Sequence, residues 1–135
     1  SIFNLQGEKV NILSFGQEYF FEINGNIHDE REFVYFGFHI RTLSGIAITG
    51  QRYPENGKYV ERIAAGTKFK IRYRLKISLA PGTYFAGGGI WSEIEPTCLH
   101  RIVDAVMFRI IASEKNHLLG YVDIASAAPS AEITL

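Results

Sequence analysis

The sequence predicts an all-β fold, an antiparallel β-sandwich of about eight strands that forms one domain over residues 1–135. Apolar side chains recur at every second position along most of the chain, which is typical of strands with one buried face. Glycine and proline turns separate these short runs, and no long helical segments alternate with them. A length of 135 residues, 47% of them hydrophobic, suits a single globular core.

The predicted strands cover, in order, residues 10–13, 17–24, 33–41, 45–50, 68–77, 82–91, 104–112 and 118–124. The clearest is 68–77, in which apolar residues alternate with basic ones over its whole length. Its basic face is predicted to be solvated or edge-protecting, with an anionic ligand or a partner surface as the alternative. The large side chains predicted to point into the core are Phe21, Phe36, Phe38, Phe69, Ile71, Tyr73, Tyr84 and Phe108.

The turns between these runs refine the prediction. They fall at Asn24-Gly25, Ser44-Gly45, Asn56-Gly57, Ala65-Gly66 and Pro81-Gly82. The last belongs to a Leu-x-Pro-Gly-x-Tyr turn at 79–84, which commonly begins a late strand of immunoglobulin-like modules and buries its tyrosine. We therefore expect an immunoglobulin-like sandwich rather than a barrel. Apolar spacings of three and four between 94 and 106 are also compatible with one helical turn near 97–103.

Composition and charge argue against several function classes. Fourteen Lys and Arg balance fourteen Asp and Glu, so no overall positive field exists to hold nucleic acid or an anionic membrane. No apolar run has the length of a membrane helix, and the first residues lack a signal-peptide pattern. A single cysteine, Cys98, together with the lack of an Asn-x-Ser/Thr acceptor, favours a reducing cytoplasm.

The sequence predicts no catalytic site, no metal site and no cofactor. Its four histidines lie in four different segments without metal-ligand spacing. The glycines at 87–89 are not followed by the Lys-Ser/Thr of a phosphate-binding loop. Glu93 and Glu95 could share a strand face, as paired glycosidase acids do, but two acids beside a proline are expected to belong to a solvated loop.

The informative pattern is the outward face of strands 33–41, 82–91 and 104–112, where aromatic and basic side chains surround several glycines. Aromatic rings stack on sugar faces, Arg and His donate hydrogen bonds to hydroxyl or acidic groups, and glycine allows close approach. We therefore predict a carbohydrate-binding face made of Tyr35, His39, Arg41, Phe85, Trp91, Met107 and Arg109. The alternative is that Phe85 and Trp91 are covered by a loop or by a partner subunit.

The C-terminal tail differs from the rest of the chain. Residues 125–130 are small and flexible, whereas 131–135 again have strand-like composition. A short strand on a flexible tether needs a pairing partner, and exchange with a second subunit would supply one. We therefore predict a homodimer in which strand 131–135 is exchanged.

Three ordered segments resemble a known family. They are Phe-Gly-Phe-His-Ile at 36–40, Leu-Ala-Pro-Gly-Thr-Tyr-Phe at 79–85, and Leu-His-Arg-Ile-Val-Asp-Ala-Val-Met-Phe-Arg-Ile at 99–110, followed by Gly-Tyr-Val-Asp at 120–123. In this order they are similar to the C-terminal domain of Wzt, the nucleotide-binding subunit of bacterial O-antigen polysaccharide ABC exporters. The resemblance covers nearly the whole chain.

This resemblance implies a non-catalytic immunoglobulin-like domain that recognises the non-reducing terminus of a lipid-linked O-antigen polysaccharide before export. It also implies a strand-exchanged homodimer, an upstream ATPase domain and a transmembrane exporter subunit, with a cytoplasmic location peripheral to the inner membrane. The chain has no Gly-x-x-x-x-Gly-Lys-Ser/Thr motif, so we expect it not to hydrolyse ATP. The alternative function is a structural or adhesion-type β-sandwich whose aromatic residues contact other proteins.

Overall fold

The computed structural model describes residues 1–94, 98–112 and 120–134, and for 98–104 it describes the backbone but not the side chains. Over these residues the chain forms strands and turns without a helix. The strands are β1 (Ile2–Phe3), β2 (Ile12–Ser14), β3 (Glu18–Asn26), β4 (Arg31–Thr42), β5 (Ala47–Tyr53), β6 (Val60–Ile63), β7 (Lys68–Lys76), β8 (Gly82–Ser92) and β9 (Cys98–Ile111).

These strands form two sheets, which confirms the predicted all-β sandwich. The three-stranded sheet has the order β1-β3-β7, and both of its pairings are antiparallel. The six-stranded sheet has the order β2-β9-β8-β4-β5, and β6 also pairs with β4. Its pairings are antiparallel except that of β2 with β9, which is parallel.

The core lies between the sheets and contains the predicted aromatic residues. Phe21, Phe36, Phe38, Tyr73, Tyr84 and Phe108 are buried, and Phe69 and Ile71 are half-buried against the core. Phe21 of the three-stranded sheet meets Phe38 and Phe108 of the six-stranded sheet, each at a ring-centroid distance of 5.6 Å. These contacts hold the two inner faces together, so the outer face of each sheet is left for other roles.

The Leu-x-Pro-Gly-x-Tyr turn forms the corner that the sequence predicts. The hydroxyl of Tyr84 donates a hydrogen bond of 2.6 Å to the carbonyl of Ala80, four residues earlier. Burial raises the pKa of the Tyr84 phenol, which is consistent with its enclosed position. The corner fixes where β8 begins, and therefore which of its side chains face outward.

The helical turn expected near 97–103 is wrong for residues 98–103, which belong to β9, while residue 97 lies outside the described residues. The pairing of β9 with β8 shifts register between Ala86 and Gly88, whose partners are Val106 and Ile102. Such a bulge adds residues to one strand and interrupts the alternation of period two. The resulting apolar spacings of three and four imitate a helix in the sequence.

Other element boundaries also differ from the prediction. Strand 45–50 lies instead at Ala47–Tyr53, so Arg52 belongs to the sheet, and Asn24-Gly25 lies within β3 rather than in a turn. Strands β1 and β6 have two and four residues, which is too short for a recognisable alternation. In the predicted strand 118–124, residues 118–119 lie outside the described residues, and Val122 forms an isolated bridge with Leu79.

The tail beyond this bridge is exposed. Ile124 and Ile133 are 91% and 83% exposed, and residues 131–134 form no strand within one copy of the chain. Leu135 lies outside the described residues. Pairing of 131–135 with a second subunit stays a prediction.

The basic face of β7 is exposed and lies at an edge of the three-stranded sheet, as its alternation indicates. Two of its arginines are paired with acids of β3: Arg72 with Glu22 and Arg74 with Glu18, each at 2.9 Å. These arginines hold the pKa values of both carboxyl groups below their usual range. The edge is therefore protected by charge, and part of that charge is neutralised locally.

Candidate functional site

The pairing of β4 with β8 places the predicted site residues on one face. The register joins Tyr35 with Trp91, Gly37 with Gly89, His39 with Gly87, and Arg41 with Phe85. Directly paired residues of antiparallel strands point to the same side of a sheet. Because the intervening Phe36 and Phe38 are buried in the core, these four rows lie on the outer face of the six-stranded sheet.

One end of this face is an aromatic cluster formed by Tyr35, Arg52, Tyr59 and Trp91. The rings of Tyr35 and Trp91 are stacked, with centroids 5.7 Å apart and planes at 13°. The Arg52 guanidinium lies 3.8 Å from the centroid of Tyr35 and 5.1 Å from that of Tyr59. Tyr59 meets Tyr35 edge-on at 6.0 Å. Cation–π and ring contacts therefore hold Tyr35 from several sides.

Hydrogen bonds hold the outer part of the cluster. Arg52 donates to the carbonyls of Pro54 and Lys58, at 2.9 and 2.8 Å, so its guanidinium is tied to the segment between β5 and β6. A side-chain hydrogen bond with Glu93 raises the pKa of Tyr59. Glu93, predicted to be a solvated loop acid, is exposed but also supports this cluster, whereas Glu95 lies outside the described residues.

The backbone next to the cluster is strained. Phe33 has a φ of 51°, a left-handed conformation that is rare for a bulky residue, and it lies within β4, two residues before Tyr35. Its ring meets Tyr59 at 6.5 Å and 79°. The energetic cost of this conformation, typically about 1 to 3 kcal/mol, is offset by the surrounding contacts.

Between the two ends of the face, the outward positions of β4 and β8 form a lane with few side chains, in which the three glycines are themselves buried. Its floor consists of Gly37, Gly87 and Gly89 together with His39. His39 pairs with Gly87 on one side and with Gly50 of β5 on the other, so no side chain stands beside it in its row. We call these four floor positions the glycine lane.

The indole of Trp91 extends over the beginning of this lane. A Cβ atom on Gly37 would lie 3.1 Å from Cζ3 and 3.7 Å from Cη2 of Trp91. This is tight for a real Cβ contact, so a side chain at position 37 would push the indole away. Glycine at this position is therefore what allows Trp91 to lie against the sheet while stacking on Tyr35.

The opposite end of the lane is a second cluster made of Arg41, Phe85 and Met107. Phe85 pairs with Arg41 on one side and with Met107 on the other. Arg41 donates through Nε and Nη2 to the carbonyl of Gly45, at 3.0 and 2.7 Å, and so is anchored within the β4–β5 hairpin. Met107 is 61% exposed. We call this the Phe85 cluster.

The seven predicted residues thus share one face but do not form one compact site. Tyr35 and Trp91 lie at one end, His39 in the lane, and Arg41, Phe85 and Met107 at the other end. Arg109 lies one row farther, paired with Thr83 of β8 and Ile12 of β2. Trp91 lies six positions after Phe85 on β8, a distance of about 20 Å along an extended strand.

Arg52 and Tyr59 are the residues of this face that the sequence analysis missed. Arg52 lies beyond the predicted end of its strand, and Tyr59 lies in the segment between β5 and β6, where no alternation marks it. Extending the alternation from Gly50 to Arg52 would have identified the arginine. Tyr59 packs edge-on against Tyr35. This contact does not enclose the site, since Tyr35 and Trp91 both remain half-buried.

The outer face of the other sheet also carries aromatic and basic side chains. Arg72 lies 5.8 Å from the ring of Phe3 and 5.4 Å from that of Phe20, and Arg74 lies 5.7 Å from Phe20. Both arginines are already paired with glutamates. This face has no glycine lane, since the outward positions of its paired strands β3 and β7 carry side chains.

Two features are absent from the described residues. Among the side chains that the structure describes, at 1–94, 105–112 and 120–134, no three of His, Cys, Asp or Glu come together as a metal site would require. No helix in the same parts of the chain is long and apolar enough to cross a membrane.

Comparison with known proteins adds the family. A family model described as the Wzt C-terminal domain matches residues 1–124. A solved structure described as a crystal structure of the C-terminal domain of wzt is similar to the chain, with a TM-score of 0.81. The likeness covers 96% of this chain and 80% of that chain at 20% sequence identity, so it shows the fold. A search of curated proteins gave no match.

Proposed function

The chain belongs to the family of Wzt C-terminal domains, which are non-catalytic, and we propose that it binds the non-reducing terminus of a lipid-linked O-antigen polysaccharide. The family suggests a carbohydrate-binding role in O-antigen export. In this proposal the domain works in the cytoplasm, at the inner membrane, as part of an exporter that also has an ATPase domain and a transmembrane subunit. It needs no metal or cofactor for binding.

The observation that carries the proposal is the stacking of Trp91 on Tyr35. Both residues are half-buried, so each keeps a fixed position and part of its ring remains accessible. A flat aromatic surface that is already ordered can contact the C–H face of a sugar ring without a large entropic cost on binding. The contacts of Tyr35 with Arg52 and Tyr59 support the same role.

The polar residues of the face suit the rest of a sugar. His39 lies on the same face, paired with Gly50 and Gly87. Its Nε2 atom is buried, so in the proposal a hydroxyl group meets the exposed part of the half-buried imidazole. Arg41 and Arg109 add donors near Phe85, and these donors suit hydroxyl groups or an acidic terminal cap. Arg52 acts differently: its guanidinium is held by two carbonyls and two rings, so it positions Tyr35.

The homodimer with exchange of 131–135 belongs to the proposal. It is supported by the exposure of Ile133 on residues 131–134, which form no strand within the copy, because pairing with a second subunit would cover this side chain. Exchange would place the tail of one copy against the sandwich of the other.

A second candidate function is a structural or adhesion-type domain that contacts other proteins. Exposed apolar side chains around the Phe85 cluster favour it: Ile12, Met107 and Ile111 are 58%, 61% and 46% exposed. Neighbouring apolar residues of this kind are typical of protein contact surfaces. The aromatic cluster is built differently, because its rings are already packed in a fixed arrangement.

Titration of the domain with the O-polysaccharide of its source strain, with and without the terminal cap, tests the proposal. Trp91→Ala should weaken binding roughly ten- to hundred-fold while leaving the unfolding transition cooperative. Lys70→Ser on β7 is the matched control, because Lys70 is exposed and lies on the outer face of the other sheet. Wild-type-like binding by Trp91→Ala, with loss of binding by the control, would move the ligand to the opposite sheet.

A further inference from the structure

Resting on the location given in the proposed function, we propose that the basic face of β7 lies on the anionic phospholipid headgroups of the inner membrane. This face consists of the outward residues of β7, which are Lys68, Lys70, Arg72, Arg74 and Lys76. The partner is a lipid surface held by charge, and the contact leaves the aromatic cluster free for the glycan.

The first argument is that the neutral net charge of the chain hides an uneven distribution. The ten outward positions of the paired strands β3 and β7 carry five bases and two acids, a formal excess of three positive charges. The whole chain has fourteen charges of each sign, so all other residues together carry an excess of three negative charges. An anionic surface therefore attracts this face and orients the domain, although the net charge is zero.

The second argument concerns the state of the two arginines. Arg72 forms an ion pair with Glu22, and Arg74 forms one with Glu18. Both guanidinium groups also lie near the ring of Phe20, at 5.4 and 5.7 Å from its centroid. The planar groups that recognise a single phosphate or carboxylate in a fixed geometry are thus already occupied.

The charge that remains belongs to the three lysines of the face, which are all exposed. Among the residues that the structure describes, none of the three forms an ion pair with an acid. Across the strand pair, Lys70 faces Asn24 and Lys68 faces Asn26. Lysine carries a compact charge on a flexible stem, so it suits a diffuse layer of mobile headgroups better than one rigid ligand.

The third argument is the direction in which the two outer faces point. The sheets pack through their inner faces, so the basic face of β7 and the aromatic cluster lie on opposite sides of the sandwich. A domain that rests on the membrane through β7 therefore presents the aromatic cluster away from the lipid. The non-reducing terminus of a polysaccharide, whose other end is attached to lipid, can then reach the cluster while the membrane contact persists.

Vesicle flotation tests this proposal without any glycan present. The probes are vesicles of phosphatidylcholine and vesicles of equal parts phosphatidylcholine and phosphatidylglycerol, both at low ionic strength. Each lysine near an anionic leaflet strengthens association about five-fold, so the wild-type domain should prefer the anionic vesicles roughly hundred-fold. The preference should fall steeply with added salt. It should disappear when Lys68, Lys70 and Lys76 are all replaced by Ser, because the face then carries two bases and two acids.

Single substitutions separate the face from the overall charge of the chain. Lys70→Ser should weaken association with the anionic vesicles about five-fold. Lys58→Ser is the matched control, since Lys58 is exposed, is paired with Glu55 outside this face and carries the same charge. It should change association by less than about two-fold. Equal effects of the two substitutions, or equal association of the wild type with both kinds of vesicle, would overturn the membrane contact.

Two further measurements distinguish this proposal from its alternatives. A DNA duplex that binds the domain more tightly than the anionic vesicles do would assign the face to nucleic acid and overturn the lipid contact. The triple lysine variant should bind the O-polysaccharide as the wild type does, because its substitutions lie on the opposite sheet. A wild-type domain that binds anionic vesicles but no O-polysaccharide would overturn the proposed function and leave the membrane contact standing.

Discussion

Trp91 stacks on Tyr35 directly across the β4–β8 pairing, with ring planes only 13° apart. Trp91 is the one tryptophan of the chain, so the tryptophan fluorescence of the protein comes from this stack. The arrangement depends on a glycine two residues after Tyr35, over which the indole extends. A side chain at position 37 would therefore disturb both the Trp91–Tyr35 stack and the proposed ligand surface.

Gly37→Val should displace the indole and weaken glycan binding about as much as Trp91→Ala does, roughly ten- to hundred-fold. The reason is the 3.1 Å distance between a Cβ atom at this position and Cζ3 of Trp91. Tryptophan fluorescence should shift in the unliganded protein, and titration should give the affinity. Gly120→Ala is the control, because a Cβ atom there meets nothing within 4 Å. An unchanged emission spectrum for Gly37→Val would contradict the packing argument.

Arg72→Ser should destabilise the fold by about 1 to 3 kcal/mol, the usual cost of leaving a buried polar group without its partner. Glu22 is buried, and its carboxylate accepts a hydrogen bond of 2.9 Å from Nε of Arg72. Lys70→Ser, on the same face of β7, should stay within about 0.5 kcal/mol of the wild type because Lys70 is exposed. Urea unfolding measures both free energies. If the two substitutions changed the free energy of unfolding equally, the hydrogen bond between Glu22 and Arg72 would not stabilise the fold.

Acidification should remove the contribution of Glu22 to stability. Its pKa is held below the usual value, first by the hydrogen bond from Arg72 and also by that from Asn24. A lowered folded-state pKa gives a contribution that is complete above the unfolded pKa of about 4.3 and is lost as pH falls through the folded value. Thermal unfolding at a series of pH values from neutral to strongly acidic should show this loss. In Glu22→Gln the curve should be flatter; a curve as steep as that of the wild type would assign the effect to other carboxyl groups.

Deletion of residues 126–135 should convert the proposed dimer into a monomer with an intact sandwich. Residues 126–134 form no strand within one copy and are exposed, so the core should be unaffected. Light scattering gives the mass, and circular dichroism checks the fold. A truncated protein that remains a dimer would remove strand exchange from the proposal while leaving dimerisation by another surface.

Much of the fold could be predicted because strand alternation is a local property. Between residues 34 and 40 of β4 the even-numbered positions are the consistently apolar ones, which predicts that Phe36 rather than Tyr35 faces the core. The structure confirms that assignment. The corner at Tyr84 likewise follows from a short local motif. The bulge in β9 was the exception, because it replaces alternation by a helix-like spacing where the two strands lose register.

By itself the sequence determined the fold class, the facing of β4, β7 and β8, and the family resemblance, since each depends on residues close together in the chain. The tertiary structure decided which strands are neighbours. Pairing β5 with β4 brought Arg52 onto Tyr35, and the segment after β5 placed Tyr59 beside both. These relationships join residues distant in sequence, and packing between strands, rather than any local pattern, determines them.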